Sequence, residues 1–243
     1  MVQFTSRDDE LLRWLGTVRL TDVEALRFAI GAAQGWDRPV HVRKAQTWVS
    51  RMLEMGLVGR GRPQYNEKSI VWATAKAVGR QAPNLLGQTT RHDVAVAHIS
   101  ARYLLAGFRW ARDRKGVAYF DHEVDGVAIL GNRVELIEVE LTPKAKSRYK
   151  GICESHSDRI LNEGVTRIVY ACTSDAARTV AREADRHMFR TERERLVSFT
   201  GFDKLGRWVA SDDALWVGKV IPPVSAAKPT QLEGLDVFEG SNR

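Results

Sequence analysis

The chain has 243 residues, with 37 Lys and Arg against 30 Asp and Glu for a formal charge of +7; 44% of it is hydrophobic and 28% charged. Such a composition can bury one large core or two small ones, which excludes global disorder, and the positive excess favours an anionic partner. No apolar run approaches the ~18–20 residues of a bilayer-crossing helix, and the first residues lead straight into Ser6-Arg7-Asp8-Asp9-Glu10, so no membrane partner and a cytoplasmic location are expected. Cys153 and Cys172 stand apart from each other and from any Cys/His cluster, which excludes zinc-finger and disulfide-scaffold readings and predicts buried, reduced thiols.

The charge is unevenly placed. Residues 38–91 carry ten Lys and Arg against only Glu54 and Glu67, a balance of +8, whereas from residue 93 onward 23 cations face 22 anions. A basic N-terminal module followed by a nearly neutral one is the pattern of a nucleic-acid-binding part joined to something else.

In chain order, Ser6 with Asp9 predicts a capped helix carrying Leu11, Leu12, Trp14 and Leu15 and ending at Gly16. Thr21 with Glu24 predicts a second, which stops at Gly31. A third is expected over 43–55, burying Trp48, Val49, Met52 and Leu53, with Gly56 as its stop. The opposite face of that helix carries Arg43, Lys44, Thr47, Ser50, Arg51 and Glu54 at helical spacing. Residues 57–60 and 69–72 then read as a two-stranded hairpin bearing Arg60 and Arg62.

Three short helices and a basic hairpin make a winged helix, in which Arg43, Lys44, Thr47, Ser50, Arg51, Arg60 and Arg62 are the candidates for contact with double-stranded DNA. The alternative is a small helical subdomain with a solvated polar face. The domain expectation is a winged-helix unit over 1–80, a linker over 81–91 marked by Pro83, Asn84 and Gly87, an α/β domain over 92–220, and an extended tail over 221–243.

In the second part the pattern predicts a helix over 93–106, strands at 108–110, 117–120, 127–130 and 134–141, a helix over 146–161, a strand at 167–171, a helix over 175–190 and a strand at 196–199. Gly131-Asn132 marks a tight hairpin. The fold class expected is mixed α/β with a central mixed sheet.

The strand Val134-Glu135-Leu136-Ile137-Glu138-Val139-Glu140-Leu141 projects Glu138 and Glu140 from one face and Ile137, Val139 and Leu141 from the other. Two carboxylates side by side in an otherwise apolar strand need something positive to offset them. Hairpin pairing brings Asp125 beside Glu138, and Asp125, Glu138 and Glu140 together form an oxygen-rich set suited to Mg²⁺ or Mn²⁺. The alternative places the two glutamates on a solvated face, paired with Arg133, Arg148 or Lys150. His122, in Asp121-His122-Glu123, is a candidate additional metal ligand but reads more readily as a solvated neighbour of acids, His92 reads as a helix-start residue, and His156 as part of a packed helix face. No phosphate-binding glycine loop or nucleophile elbow is present, which excludes a built-in ATP motor and serine-hydrolase chemistry.

Asp125-Gly126, a hairpin, Glu138-Val139-Glu140 and a basic helix starting near Lys144 together resemble the PD-(D/E)xK nuclease core. That core behind a winged helix resembles the replication-relaxation proteins of actinobacterial plasmids and phages, over residues 8 to 190. The resemblance implies a restriction-endonuclease-like α/β domain with Asp125 in the aspartate position, behind Val124 where proline is usual, and Glu138 in the acidic position. Glu140 stands where lysine is expected, which makes Lys144 or Lys146 the candidate substitute. It further implies a Mg²⁺-dependent DNA endonuclease or nickase with Asp125, Glu138, Glu140, Lys144 and Lys146 as catalytic residues, a homodimer as a possible assembly, and replication or transfer proteins as possible partners. The competing expectations are a non-enzymatic DNA-binding regulator with a degenerate nuclease fold and a protein-interaction adaptor.

Overall fold

A computed structural model describes residues 3–63, 68–114, 121–216 and 218. The chain is mixed α/β with two sheets and divides into two compact units between Trp110 and Ala111. Among the described residues, no helix is long and apolar enough to cross a membrane.

In the first unit, α1 (Ser6–Val18) buries Leu11, Leu12, Trp14, Leu15 and Val18. Its capping box is Thr5 with Asp8, one residue earlier than the sequence suggests, and Gly16 sits inside the helix instead of ending it. After the two-residue β1 (Thr21–Asp22), α2 (Val23–Ala33) is capped by the Asp22 carboxylate accepting from the Ala25 N–H, one residue later than the Thr21 expected from the sequence. Helix α2 runs through Gly31 to Ala33. A Cβ at Gly31 would meet the Arg38 carbonyl at 2.4 Å, so the glycine permits a close backbone approach and does not terminate the helix.

Helix α3 (Val42–Glu54) buries Ala45, Trp48, Val49 and Met52 as its periodicity requires, while Leu53 stays exposed. It is followed by β2 (Val58–Gly61) and β3 (Ile70–Ala73), antiparallel in the order β1-β3-β2. The Trp72 ring lies across Gly59, where an added Cβ would sit 2.4 Å from it. A four-residue helix, α4 (Ala75–Val78), precedes α5 (Thr90–Leu105).

Helix α5 corrects the expected boundary: residues 81–91 are not an interdomain linker, and α5 belongs to the first unit instead of opening the second. Its Ala95, Ala97 and Ala101 are fully buried, Ser100 accepts a buried hydrogen bond from the Trp14 indole at 2.9 Å, and Leu85, in the supposed linker, packs with Leu20, Ile70 and Val94. The Pro, Asn and Gly of that segment make a turn, because turn chemistry alone does not distinguish a loop within a domain from a join between domains.

The second sheet has the order β4-β5-β6-β7-β8, comprising β4 (Arg109–Ala111), where the division falls, β5 (Gly126–Leu130), β6 (Arg133–Glu140), β7 (Arg167–Cys172) and β8 (Leu196–Thr200). Strands β5 and β6 are antiparallel across Gly131-Asn132, with Gly131 at φ 55°, and β6, β7 and β8 are parallel. The connections are α6 (Lys146–Asn162), then α7 (Ser174–His187) with α8 (Arg190–Arg193). A 3₁₀ turn follows at Asp212–Trp216.

Residues 134–140 of β6 are all buried, as expected for a strand between two neighbours with both faces covered. Val134 and Leu136 join Tyr149 and Cys153 of α6 and Ile168, Tyr170 and Cys172 of β7 in one apolar core. Both cysteines are buried and unpaired, as expected, and burial pushes the Cys153 thiol up to about 11. The expected strand at 117–120 and the tail at 221–243 lie outside the described residues.

Candidate functional site

The register of the β5–β6 hairpin, Gly126 opposite Ile137, puts Asp125 at the mouth of the ladder beside Glu138. The Asp125 N–H donates to the Ile137 carbonyl at 3.0 Å, and its Oδ2 accepts from the Val139 N–H at 2.8 Å. The preceding residue is also anchored: the Val124 N–H donates to Asp113 Oδ2 at 2.9 Å, and Asp113 is held by both terminal nitrogens of Arg159 from α6 at 2.6 and 2.9 Å. The aspartate is therefore placed by backbone and ion pair together, while it keeps partial exposure to solvent.

Glu138 and Glu140 do share one face, and that face is buried, each residue being 2% exposed. The solvated-face alternative does not hold. Arg133 instead pairs with Glu135, on the other face, and Lys150 lies 3.9 Å from Glu154. The positive partner is Lys144, whose ammonium donates to Glu140 Oε2 at 2.8 Å and lies 3.9 Å from Glu138 Oε2. Its backbone N–H also reaches Glu140 Oε1 at 3.2 Å. Lys146, the other candidate, is exposed at the first position of α6 and outside this cluster.

Sequence reasoning undervalued two groups. His122, expected to be chiefly a solvated neighbour, hydrogen-bonds through Nε2 to Glu138 Oε1, and the Tyr149 hydroxyl donates to Glu140 Oε1. A signal for Tyr149 existed, because Tyr149, Ile152, Cys153, His156 and Ile160 share one helical face. For His122 the flanking Asp121 and Glu123 were the one signal, since a loop residue has no periodicity to read. Behind it, His156 is packed as expected; its ring centroid lies 5.7 Å from that of His122, and its Nε2 pairs with the Tyr170 hydroxyl at 2.8 Å.

The electrostatics follow from burial and from unequal numbers of charges. Burial and the neighbouring Asp125 charge raise the Glu138 pKa against the opposing pull of His122 and Lys144. Burial by itself would lower the Lys144 pKa, but Glu138 and Glu140 outweigh it and hold the ammonium above its ordinary value. Burial first, and then its neighbours His122, Arg159 and Lys144, drive the His156 pKa well below 6.5, so that imidazole is neutral.

Among the described residues, no group of three or more His, Cys, Asp or Glu side chains is arranged to hold a metal ion, so the expected trio of Asp125, Glu138 and Glu140 is not drawn together as one ligand set. Glu140 is committed to Lys144 and Tyr149. Asp125 and Glu138 still fit a hard divalent cation chemically: three carboxylates face one ammonium and the His122 imidazole, and a dication would offset the excess.

In the first unit, Arg43, Lys44, Thr47 and Ser50 of α3 and Arg60 and Arg62 at the end of β2 are all exposed. Arg43, Arg60 and Arg62 have no carboxylate partner among the described residues. The Lys44 ammonium is steadied by Gln34 Oε1 at 2.7 Å and by the Trp36 ring, 4.4 Å from its centroid. The Thr47 hydroxyl donates back to the Arg43 carbonyl at 2.9 Å.

Arg51 departs from its expected place on this face. Its guanidinium turns inward onto both oxygens of Asp8, which is 2% exposed and also accepts from the Trp48 indole at 2.8 Å. A carboxylate withdrawn from water needs a cation, and that requirement outranks the helical spacing that put Arg51 in line with Arg43 and Lys44.

No protein-family model, curated protein or solved structure matches the chain.

Proposed function

We propose that the protein binds duplex DNA through its first unit and hydrolyses phosphodiester bonds, with Mg²⁺ or Mn²⁺, at the buried cluster of its second. The observation that carries this reading is the excess of carboxylate charge around Lys144, at the open end of a hairpin whose Asp125 is fixed by the backbone. Buried like charges are costly, and folds tolerate them chiefly where chemistry needs them. Asp125 and Glu138 would hold the ion; when bound, it supplies charge neutralisation at the phosphate and a more acidic water.

Lys144 keeps its proton at neutral pH and is aimed by Glu140, so it is the group to stabilise negative charge developing on the scissile phosphate. Glu140 is a positioning residue in this reading, and Tyr149 positions it in turn. That arrangement accounts for a glutamate where the motif has lysine: the ammonium arrives from four residues further along the chain and occupies the neighbourhood that the motif lysine would. In the first unit, α3, β2 and β3 read as the recognition helix and wing of a winged helix. Arg43, Lys44, Thr47 and Ser50 would face the groove and Arg60 and Arg62 the phosphates.

A second reading, a non-enzymatic DNA-binding regulator with a degenerate nuclease fold, is favoured by the full commitment of Glu140 to Lys144 and Tyr149. Supercoiled plasmid incubated with and without Mg²⁺ or Mn²⁺ separates the two. Metal-dependent nicking that is lost in Glu138→Ala supports the nuclease; duplex binding with every substrate left intact in either metal replaces it with the regulator.

A further inference from the structure

Away from α3 and the wing, the first unit contains a cavity of about 450 Å³, within the size range of small-molecule sites. Its accessible apolar side chains are the half-buried Val78 and Pro83, with Leu15 and Leu20 fully buried behind them, and two exposed guanidinium groups, Arg19 and Arg80, stand on its lining. Neither arginine has a carboxylate partner among the described residues. Arg80 uses one N–H to reach the Gly16 carbonyl at 2.9 Å, at the end of α1, and the rest of its donor fork is uncommitted. The carboxylate on the lining, Asp93, has the His92 imidazole 3.9 Å away. The Thr89 hydroxyl, also on the lining, makes no capping hydrogen bond to α5 although Thr89 is the N-cap residue.

The backbone supplies an independent observation. Among the described residues, Arg19 is the one non-glycine with a positive φ, 73° with ψ −47°. A Cβ in that conformation is strained, and glycine would relieve the strain where only a turn was needed. The position instead carries a long cationic side chain that has no ion pair among the described residues and lies on a cavity.

We infer that this cavity binds a small organic anion: an aromatic or aliphatic body against Val78 and Pro83, with its carboxylate, sulfonate or phosphate between Arg19 and Arg80. The site does not depend on the nuclease reading. It gives the DNA-binding unit a place at which a metabolite-sized molecule can act.

The test uses the full-length protein with 8-anilinonaphthalene-1-sulfonate as the probe, an anion on an apolar body, followed by fluorescence and calorimetry. Saturable binding of one probe per chain is expected, with the uncharged N-phenyl-1-naphthylamine about tenfold weaker or worse because it lacks the charge-assisted contacts. Arg19→Gly should weaken sulfonate binding by about tenfold while raising the melting temperature by about 2–4 °C, since glycine accepts the positive φ. Loss of binding in a more stable protein cannot be attributed to unfolding. Arg80→Gln should weaken binding similarly. Non-saturable binding, equal affinity for the neutral analogue, or unchanged sulfonate affinity in Arg19→Gly overturns the proposal.

Discussion

Asp8 in the first unit and Glu138 in the second are both carboxylates withdrawn from water, and the two units treat them in opposite ways. Asp8 meets one arginine, both of its oxygens are filled by Arg51, Trp48 and Thr5, and those partners outweigh burial to hold its pKa below the ordinary value. Glu138 has the His122 imidazole on one oxygen and shares one lysine with Glu140, but burial and Asp125 beside it push its pKa the other way. A balanced buried charge holds the fold together. An unbalanced one costs stability at rest and is a mark of a working site. The same contrast separates Arg51, which is consumed by structure, from Arg43, Arg60 and Arg62, which remain available to a polyanion.

The largest expected effect lies in the unbalanced cluster. Glu138→Ala and Lys144→Ala should each reduce plasmid nicking by about 10²–10³-fold or more, the usual consequence of removing one preorganised electrostatic group, and leave duplex affinity within about twofold. Tyr149→Phe should cost less, because it acts through Glu140. If Lys144→Ala nicks as fast as the parent, Lys144 is not the substitute for the motif lysine.

The balanced cluster is tested by stability. Arg51→Met should destabilise the first unit by about 3 kcal/mol, since it strands the buried Asp8, whereas Glu138→Gln should raise the melting temperature in chelator. Denaturant titration of both variants reads the signs, and equal destabilisation would erase the distinction drawn between the clusters. Added Mg²⁺ or Mn²⁺ should stabilise the parent, by about 2.7 kcal/mol at a hundred times its dissociation constant, but not Glu138→Gln; chelator should reverse the gain.

Duplex binding sharpens the comparison among the arginines. Arg60→Ala and Arg62→Ala combined should lower the slope of log affinity against log salt by about 2, one counterion for each lost phosphate contact, with no change in melting temperature. Charge reversal at Arg51 is unsuited to the purpose, because it would unfold the unit that it is meant to probe. Fluorescence anisotropy at several salt concentrations gives the slope, and an unchanged slope removes these residues from the interface.

The smallest and most selective effect is in acid. His156 stays neutral in the fold but accepts a proton when unfolded below pH 6.5, so the second unit loses stability as pH falls from about 6.5 downward. Asp22 in the first unit has its pKa held down to about 2 from 3.8, by His98 and the Ala25 N–H against the cost of burial, and its contribution persists until pH falls below about 4. Protonation of Glu138, whose pKa is raised, works the other way, so acid should loosen the second unit first in Glu138→Gln, where that opposing gain is removed. Amide exchange between pH 7 and 4 would show it, and His156→Gln should flatten the upper part of the profile.

Periodicity read the longer helices and strands among the described residues with small errors at their ends, while β1, α4 and α8 are too short to show a period. The two-residue period of β6 put Glu138 and Glu140 together, the helical period of α3 separated its buried from its exposed face, and Gly131-Asn132 announced the hairpin that brings Asp125 to Glu138. These are properties of neighbours along the chain, where stereochemistry acts over a few residues and no long-range contact is needed.

What the tertiary structure decided was the assignment of partners. Helix α5 joined the first unit because its alanines and Ser100 fit against residues far earlier in the chain. Lys144 rather than Lys146 entered the acidic cluster, Arg51 turned inward to Asp8, and His122 reached Glu138 from a loop without any periodicity. Each of these outcomes is set by which buried group must be satisfied and which side chain can reach it. Those two quantities depend on distances through space, and the spacing of residues along a sequence does not contain them.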